Sequence, residues 1–176
     1  MSDSVKEVNL DVRLEDQDMV DFLMYQTYHS RTGWVAVIFG VIALIVGILT
    51  AGKVKQSYTV VYFVLAFVML IYEPIAVKAQ GKRQISTNPV LQNKLHYRFD
   101  EKGFTISTDI DLGEGDNKSN TIEWKRIFKA VKTKKALYIY TGLKNASVIP
   151  DRALDGVWDD LKKIIIRNVP DHRYKL

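Results

Sequence analysis

The sequence predicts a membrane protein of the α+β class: a two-helix transmembrane hairpin joined to a cytoplasmic antiparallel sheet that a C-terminal helix caps. Three observations lead there. Two blocks, Trp34 to Ala51 and Ser57 to Tyr72, contain no charged residue. Short alternating segments separated by turn residues follow from Lys94 to Ile149. Near the C-terminus, apolar residues recur at helical spacing between Asp155 and Asn168.

The elements follow in order. Val8, Leu10, Val12 and Leu14 alternate with Asn9, Asp11 and Arg13, the pattern of a strand with one buried face. A helix should come next, with Asp16 as its cap, Asp18 and Asp21 favouring its positive end, and Met19, Phe22 and Leu23 as an apolar stripe running on to Tyr25 and Tyr28. As a helix, Trp34 to Ala51 rises about 27 Å, close to the roughly 30 Å hydrocarbon thickness of a bilayer. It is not built like a signal peptide, because 33 residues of net acidic sequence precede it. Tyr58 to Val77 forms a second run, interrupted by Glu73-Pro74, at which the helix is expected to end near the cytoplasmic interface. A buried soluble hairpin is the competing reading of the two runs. Only Gly52 to Gln56 separates them, so they must be antiparallel neighbours with both termini on one side.

A polar stretch from Ala79 to Asn93 leads to a hairpin, Lys94 to Asp100 and Phe104 to Asp109, turning at Gly103. Further strands are expected at Thr121 to Trp124, Ile127 to Thr133, Ala136 to Thr141 and Ala146 to Ile149, with turns at Lys134-Lys135 and Gly142. The closing helix, about Asp155 to Asn168, places Val157, Trp158, Leu161, Ile164 and Ile165 on one face, and Pro170 stops it. Antiparallel strands followed by one amphipathic helix make a small curved sheet or half-barrel with a helical cap. Pleckstrin-homology-like (PH-like) domains share this order. The predicted organisation is therefore residues 1–33 packing with the C-terminal domain, a hairpin over 34–77 (helices 34–51 and 57–77), and a PH-like domain over 84–176.

Charge is unevenly distributed. Residues 1–33 carry three basic and seven acidic side chains, 34–77 two and one, and 78–176 twenty and twelve, so −4, +1 and +8 give the net +5 of the 176-residue chain. Lys78, Lys82, Arg83 and Lys94 after the second run and Arg31 before the first outweigh Lys53 and Lys55 in the loop, which places both termini in the cytoplasm. The densest basic cluster is Arg126, Lys129, Lys132, Lys134 and Lys135, which suits anionic headgroups or a partner surface. Small residues recur along the first run at Gly33, Ala36, Gly40, Ala43 and Gly47. Such a seam permits close helix packing, either on the second run or on another copy in a homo-oligomer.

Chemistry is limited by what is missing. Without cysteine there is no disulfide, thiolate metal site or Cys nucleophile. His29, His96 and His172 are not at metal-site spacing, and Asp109 to Asp116 departs from the EF-hand pattern at Gly113, Glu114 and Asn120. No phosphate loop, nucleophile elbow or zinc motif is present, so no enzyme, cofactor or metal is predicted. No nucleic-acid motif accompanies the basic residues.

Three stretches carry a resemblance: Leu14-Glu-Asp-Gln-Asp18, Glu123-Trp124 with Ile127, and Val148-Ile-Pro-Asp-Arg-Ala-Leu154. With the apolar hairpin between the first and second, they resemble the bacterial YcxB-like proteins, whose pattern has an acidic N-terminal helix, two spans, a tryptophan turn and an "I-I-P-K-R-A-F"-like stretch. Asp151 and Leu154 stand where that pattern has Lys and Phe. The resemblance implies a PH-like domain tethered in the bacterial plasma membrane, with the lipid bilayer and a protein as partners. Function is accordingly expected to be that of a non-enzymatic interaction or regulatory module. An immunity-type protective protein against a toxin is the alternative, and a small channel or transporter subunit ranks below both, since only Glu73 could line a pore.

Overall fold

The structure is a computed structural model and describes residues 7–110, 119–143 and 145–176. The chain is α+β and divides into two compact units. Unit 1 comprises the N-terminal residues through Met19 together with Gln84–Leu176, and unit 2 is Val20–Arg83.

Unit 1 holds two four-stranded sheets. The first is β1 (Val8–Val12), β2 (Leu95–Phe99), β3 (Gly103–Thr108) and β4 (Ser119–Glu123), in that spatial order and antiparallel throughout. Strict alternation explains β1: Val8, Leu10 and Val12 are buried, while Asn9 and Asp11 are exposed. The strand therefore closes one edge of the sheet, with Leu10 opposite Tyr97. In the β2–β3 turn, Asp100 accepts hydrogen bonds on Oδ1 from the backbone amides of Lys102 (2.7 Å) and Gly103 (3.0 Å). A side chain at Gly103 would collide with the Ile122 carbonyl of β4, so the close approach of the strands requires glycine here.

The second sheet is ordered β7 (Ala146–Pro150), β6 (Ala136–Tyr140), β5 (Lys129–Lys132), β8 (Tyr174–Lys175). All five residues of β6 are buried, as befits a central strand covered on both faces. The two sheets belong to one core, tied by a hydrogen bond between the side chains of Tyr97 in β2 and Ser147 in β7. Burial drives the Tyr97 phenol far above its ordinary pKa of 10.0, so it remains a neutral hydroxyl. Helix α6 (Trp158–Asn168) buries Leu161, Ile164 and Ile165 and leaves Lys163, Ile166 and Arg167 exposed.

The expectation of a single antiparallel sheet is corrected in two respects. The strand expected to run to Trp124 stops at Glu123, because Trp124–Arg126 forms a 3-10 turn that redirects the chain between sheets. The cause is the indole. It is buried beside Phe99 and Phe104, with ring centroids 6.2 and 6.1 Å away, and its Nε1–H donates to the Asp100 carbonyl at 2.8 Å. The second departure is β8, two residues at the C-terminus that pair in parallel with β5, Ala130 opposite Tyr174. A strand of two residues has too short a pattern to register in sequence.

Unit 2 contains two helices long and apolar enough to cross a membrane. Helix α2 (Arg31–Thr50) begins at Ser30, whose hydroxyl accepts from the Gly33 amide at 3.1 Å. The second is one continuous helical rod, Gln56–Thr87: α3 (Gln56–Phe67), a π turn (Val68–Tyr72) and α4 (Glu73–Thr87). The helix thus passes through Pro74 instead of ending there, and much of the polar stretch expected after Val77 is helical. The π turn supplies the reason. With the Glu73 amide bonded to the Val68 carbonyl five residues back, the backbone is widened just where Pro74 lacks a donor and would crowd the preceding turn. Helix α1 (Asp16–Tyr28) starts differently from expectation as well. Asp18 reaches back to accept from the Glu15 amide at 2.7 Å, the acidic half of a capping box, with Asp16 already inside the helix. A short helix, α5 (Pro89–Gln92), capped by the Asn88 side chain, leads into β2.

Candidate functional site

The basic residues that are neighbours in sequence are separated by the fold. Strand β5 runs from Lys129 to Lys132 with side chains on alternate faces, so these two lysines point oppositely. Lys132 is largely covered: its ammonium bonds the Asp151 carboxylate and the Thr133 carbonyl (2.8 Å) and lies 5.4 Å from the centre of the Trp158 ring. Asp151, where the family pattern has Lys, is therefore the partner of a lysine. Lys134 and Lys135 lie exposed in the β5–β6 turn, beyond the other end of the strand.

Arg126 and Lys129 do come together, with residues the sequence reading did not include. They line an open depression of about 520 Å³ with Lys125, His172 and Arg173. The C-terminal pair arrives because β8 docks beside β5 and Arg173 Nη1 donates to the Ile127 carbonyl at 3.2 Å. Ile127, Phe128 and Thr141 complete the lining. Phe128 is 52% exposed although its amide is fixed on the Tyr140 carbonyl at 2.8 Å. The nearby acid Glu123 is held by the Lys125 ammonium, whose hydrogen bond keeps the carboxyl below its ordinary pKa. Four basic side chains and an imidazole around one concavity can hold an anion.

A second polar constellation ties the N-terminal segment into unit 1. The Arg152 guanidinium donates from Nη1 to Asp18 Oδ1 at 2.8 Å and from Nη2 to Asp18 Oδ2 at 2.6 Å, a bidentate pair, and also reaches the Arg13 carbonyl at 2.9 Å. Its pKa is raised, first by Asp18. Two of the three stretches that carried the family resemblance thus meet across 134 positions of sequence. A third cluster lies across β1, β2 and the end of β3. His96 Nδ1 is 2.6 Å from Asp11 Oδ1 and its Nε2 is 3.0 Å from Asp109 Oδ2, while Lys94 holds the other Asp11 oxygen at 2.6 Å. Hydrogen bonds to Asp109 and then Asp11 raise the His96 pKa, and the bond from Lys94, followed by that from His96, lowers that of Asp11.

Among the described residues no three His, Asp or Glu side chains converge as a metal-holding group. Most of the acidic loop Asp109 to Asp116 lies outside the described residues.

In unit 2 the small residues occupy the covered face of α2. Gly33, Gly40 and Gly47 are buried, and Ala36 and Ala43 are partly covered. A Cβ at Gly40 would lie 2.8 Å from Leu70 Cγ and 3.0 Å from Met69 Cβ, and one at Gly47 would lie 3.3 Å from Tyr62 Cβ. The chain's own second rod therefore fills the seam at both glycines. Gly33 serves another purpose: a side chain there would strike the Thr27 carbonyl of α1. Around Ala43 the fit is loose, with an apolar gap of about 210 Å³ between Phe39, Val46, Tyr62, Leu65 and Met69.

The family model described as YcxB-like protein matches residues 99–165, less than half of the chain. That segment includes Glu123-Trp124 and Val148 to Leu154, and it begins beyond the apolar helices. No curated protein and no solved structure matches the chain significantly.

Proposed function

We propose, taking the YcxB-like match over residues 99–165 as the premise, that this protein is a non-enzymatic module tethered in the bacterial plasma membrane. In this reading α2 and the Gln56–Thr87 rod span the bilayer, both termini are cytoplasmic, and unit 1 is a PH-like domain that meets a protein or lipid partner there. The observation that carries the proposal is the apolar sleeve of unit 2. Ile48, Leu49, Val64 and Phe67 are 59, 62, 54 and 54% exposed, in helices of spanning length and without charge along most of their course. In water such a surface would be a severe aggregation liability, and in lipid it costs nothing. Unit 1 supports the other half, since two sheets sharing a core and a C-terminal amphipathic helix agree with the PH-like order.

The test is membrane retention together with topology. The protein should stay in the membrane fraction through alkaline carbonate extraction. Because the native chain has no cysteine, single cysteines can report sidedness: one at Gln56 should react with an impermeant thiol reagent in intact cells, and one at Ser119 should react only after lysis. Extraction by carbonate would defeat the tether, and the reverse labelling pattern would defeat the orientation.

A further inference from the structure

We infer that the depression formed by Lys125, Arg126, Lys129, His172 and Arg173 docks on the phosphate headgroups of anionic phospholipid, with Phe128 entering the interface beside them. This rests on the membrane-tethered reading and specifies the partner. Two independent observations carry it. The first is charge: the concavity gathers five groups able to carry positive charge from two chain segments far apart in sequence. Of the acids at its edge, Glu123 is paired with Lys125 and Asp171 accepts from the Tyr174 hydroxyl at 2.8 Å, so Arg126, Lys129 and Arg173 leave the concavity net positive.

The second is the distribution of exposed apolar side chains. Among the described residues of unit 1, the large hydrophobic side chains that stand exposed are Phe128, Leu143 and Ile166. One of these lines the depression and a second lies close to it in sequence. Phe128 lines it, and Leu143, 80% exposed, follows two residues after the lining residue Thr141. Inorganic phosphate would be held by the cations and would have no use for the aromatic face. Basic side chains with an adjacent aromatic and an aliphatic group suit the headgroup region, where charge meets phosphate and the apolar groups reach the acyl boundary. Covalent attachment to spanning helices keeps such a surface at high effective concentration, so individually weak contacts suffice.

The experiment uses the full chain in nanodiscs of phosphatidylcholine, alone or mixed with phosphatidylglycerol. An environment-sensitive dye on Asn145→Cys, in the exposed turn beside Leu143, reports burial. With phosphatidylglycerol present, the dye emission should shift to the blue and be quenched by spin-labelled lipid, and high salt should reverse both. Arg126→Gln should shift the docked-to-undocked ratio about fivefold toward undocked, the loss expected for one well-placed basic group. Phe128→Ser should weaken docking without altering charge. Lys134→Gln, beyond the other end of β5, should leave it unchanged.

Equal signals in the two lipid compositions, or a phosphatidylglycerol response that survives removal of Lys125, Arg126 and Lys129 together, would overturn the inference. So would a response to millimolar inorganic phosphate in phosphatidylcholine discs to which phosphatidylglycerol adds nothing. A chain that fails to remain in the discs refutes the tether itself, whereas one that remains and ignores phosphatidylglycerol refutes only the lipid site.

Discussion

Replacing Gly40 with alanine isolates the packing of unit 2 in a single methyl group. That methyl would sit 2.8 and 2.9 Å from two Leu70 carbons and 3.0 Å from Met69 Cβ, against ordinary carbon contacts of about 3.5 to 4.0 Å. Leu70 can turn away. Met69 Cβ is fixed to its backbone, so the second rod must shift. At Gly47 the nearest atoms are 3.3, 3.5 and 3.6 Å away, which a few tenths of an ångström relieve. Exchanging Gly for Ala also favours a helix by up to about 1 kcal/mol, and this gain is common to both positions. The difference between the two variants therefore measures the clash. Overpacking of this kind costs about 1–3 kcal/mol, so Gly40→Ala should be less stable than Gly47→Ala by roughly that amount, about a factor of 30 in the equilibrium at ~2 kcal/mol. Titration with sodium dodecyl sulfate from dodecyl maltoside, following a dye pair across the two helices, reads it directly. Gly40→Leu should part the helices without changing the mass of the particle. Equal midpoints for the two alanine variants would refute the assignment of the seam to the chain's own second rod.

Three further outcomes follow from unit 1. Arg152→Ala should lower the melting temperature through loss of the bidentate bond to Asp18, about 1–3 kcal/mol for a partly exposed charge-assisted pair, and Arg152→Lys should recover only part of it because an ammonium cannot bridge both oxygens. An unchanged melting curve for Arg152→Ala would show that the N-terminal segment is held by β1 alone. The folded pKa of His96 is raised above its ordinary 6.5, so its contribution is fully present below about pH 6.5 and fades as pH rises through the raised folded value. His96→Gln should flatten that part of the stability profile, and a profile identical to the parent would remove the Asp11–His96–Asp109 bridge as its source. Trp124→Phe keeps an aromatic ring in the core but deletes the Nε1 donor to the Asp100 carbonyl; a loss of about 1–2 kcal/mol in chemical denaturation is expected, and no loss would mean that the ring alone sets the turn.

Periodicity and charge along the chain determined much of this protein. The alternation of Val8 to Val12, the apolar run through α2 and the hairpin around Gly103 are local patterns that formed where they lie, although Gly103 opens β3, and α6 starts at Trp158, three residues later than expected, after a turn in which Gly156 has a positive φ. Sequence also marked Gly40 and Gly47 as small at helical spacing and Glu123-Trp124 as part of a family pattern. Tertiary structure decided what those patterns could not encode. A π turn lets the helix pass Pro74 because a backbone hydrogen bond five residues back relieves the crowding, and hydrophobicity carries no trace of that bond. A buried indole bonded to a distant carbonyl splits one expected sheet into two. The basic site changed most. Lys132 lies three residues from Lys129 along a strand yet faces away to serve Asp151, whereas His172 and Arg173, more than forty positions on, are drawn in by two residues of parallel pairing. Charge density along a chain is set by sequence, but a strand sends neighbours to opposite faces and a returning terminus supplies the missing ones, so which cations share a concavity is a property of the fold alone.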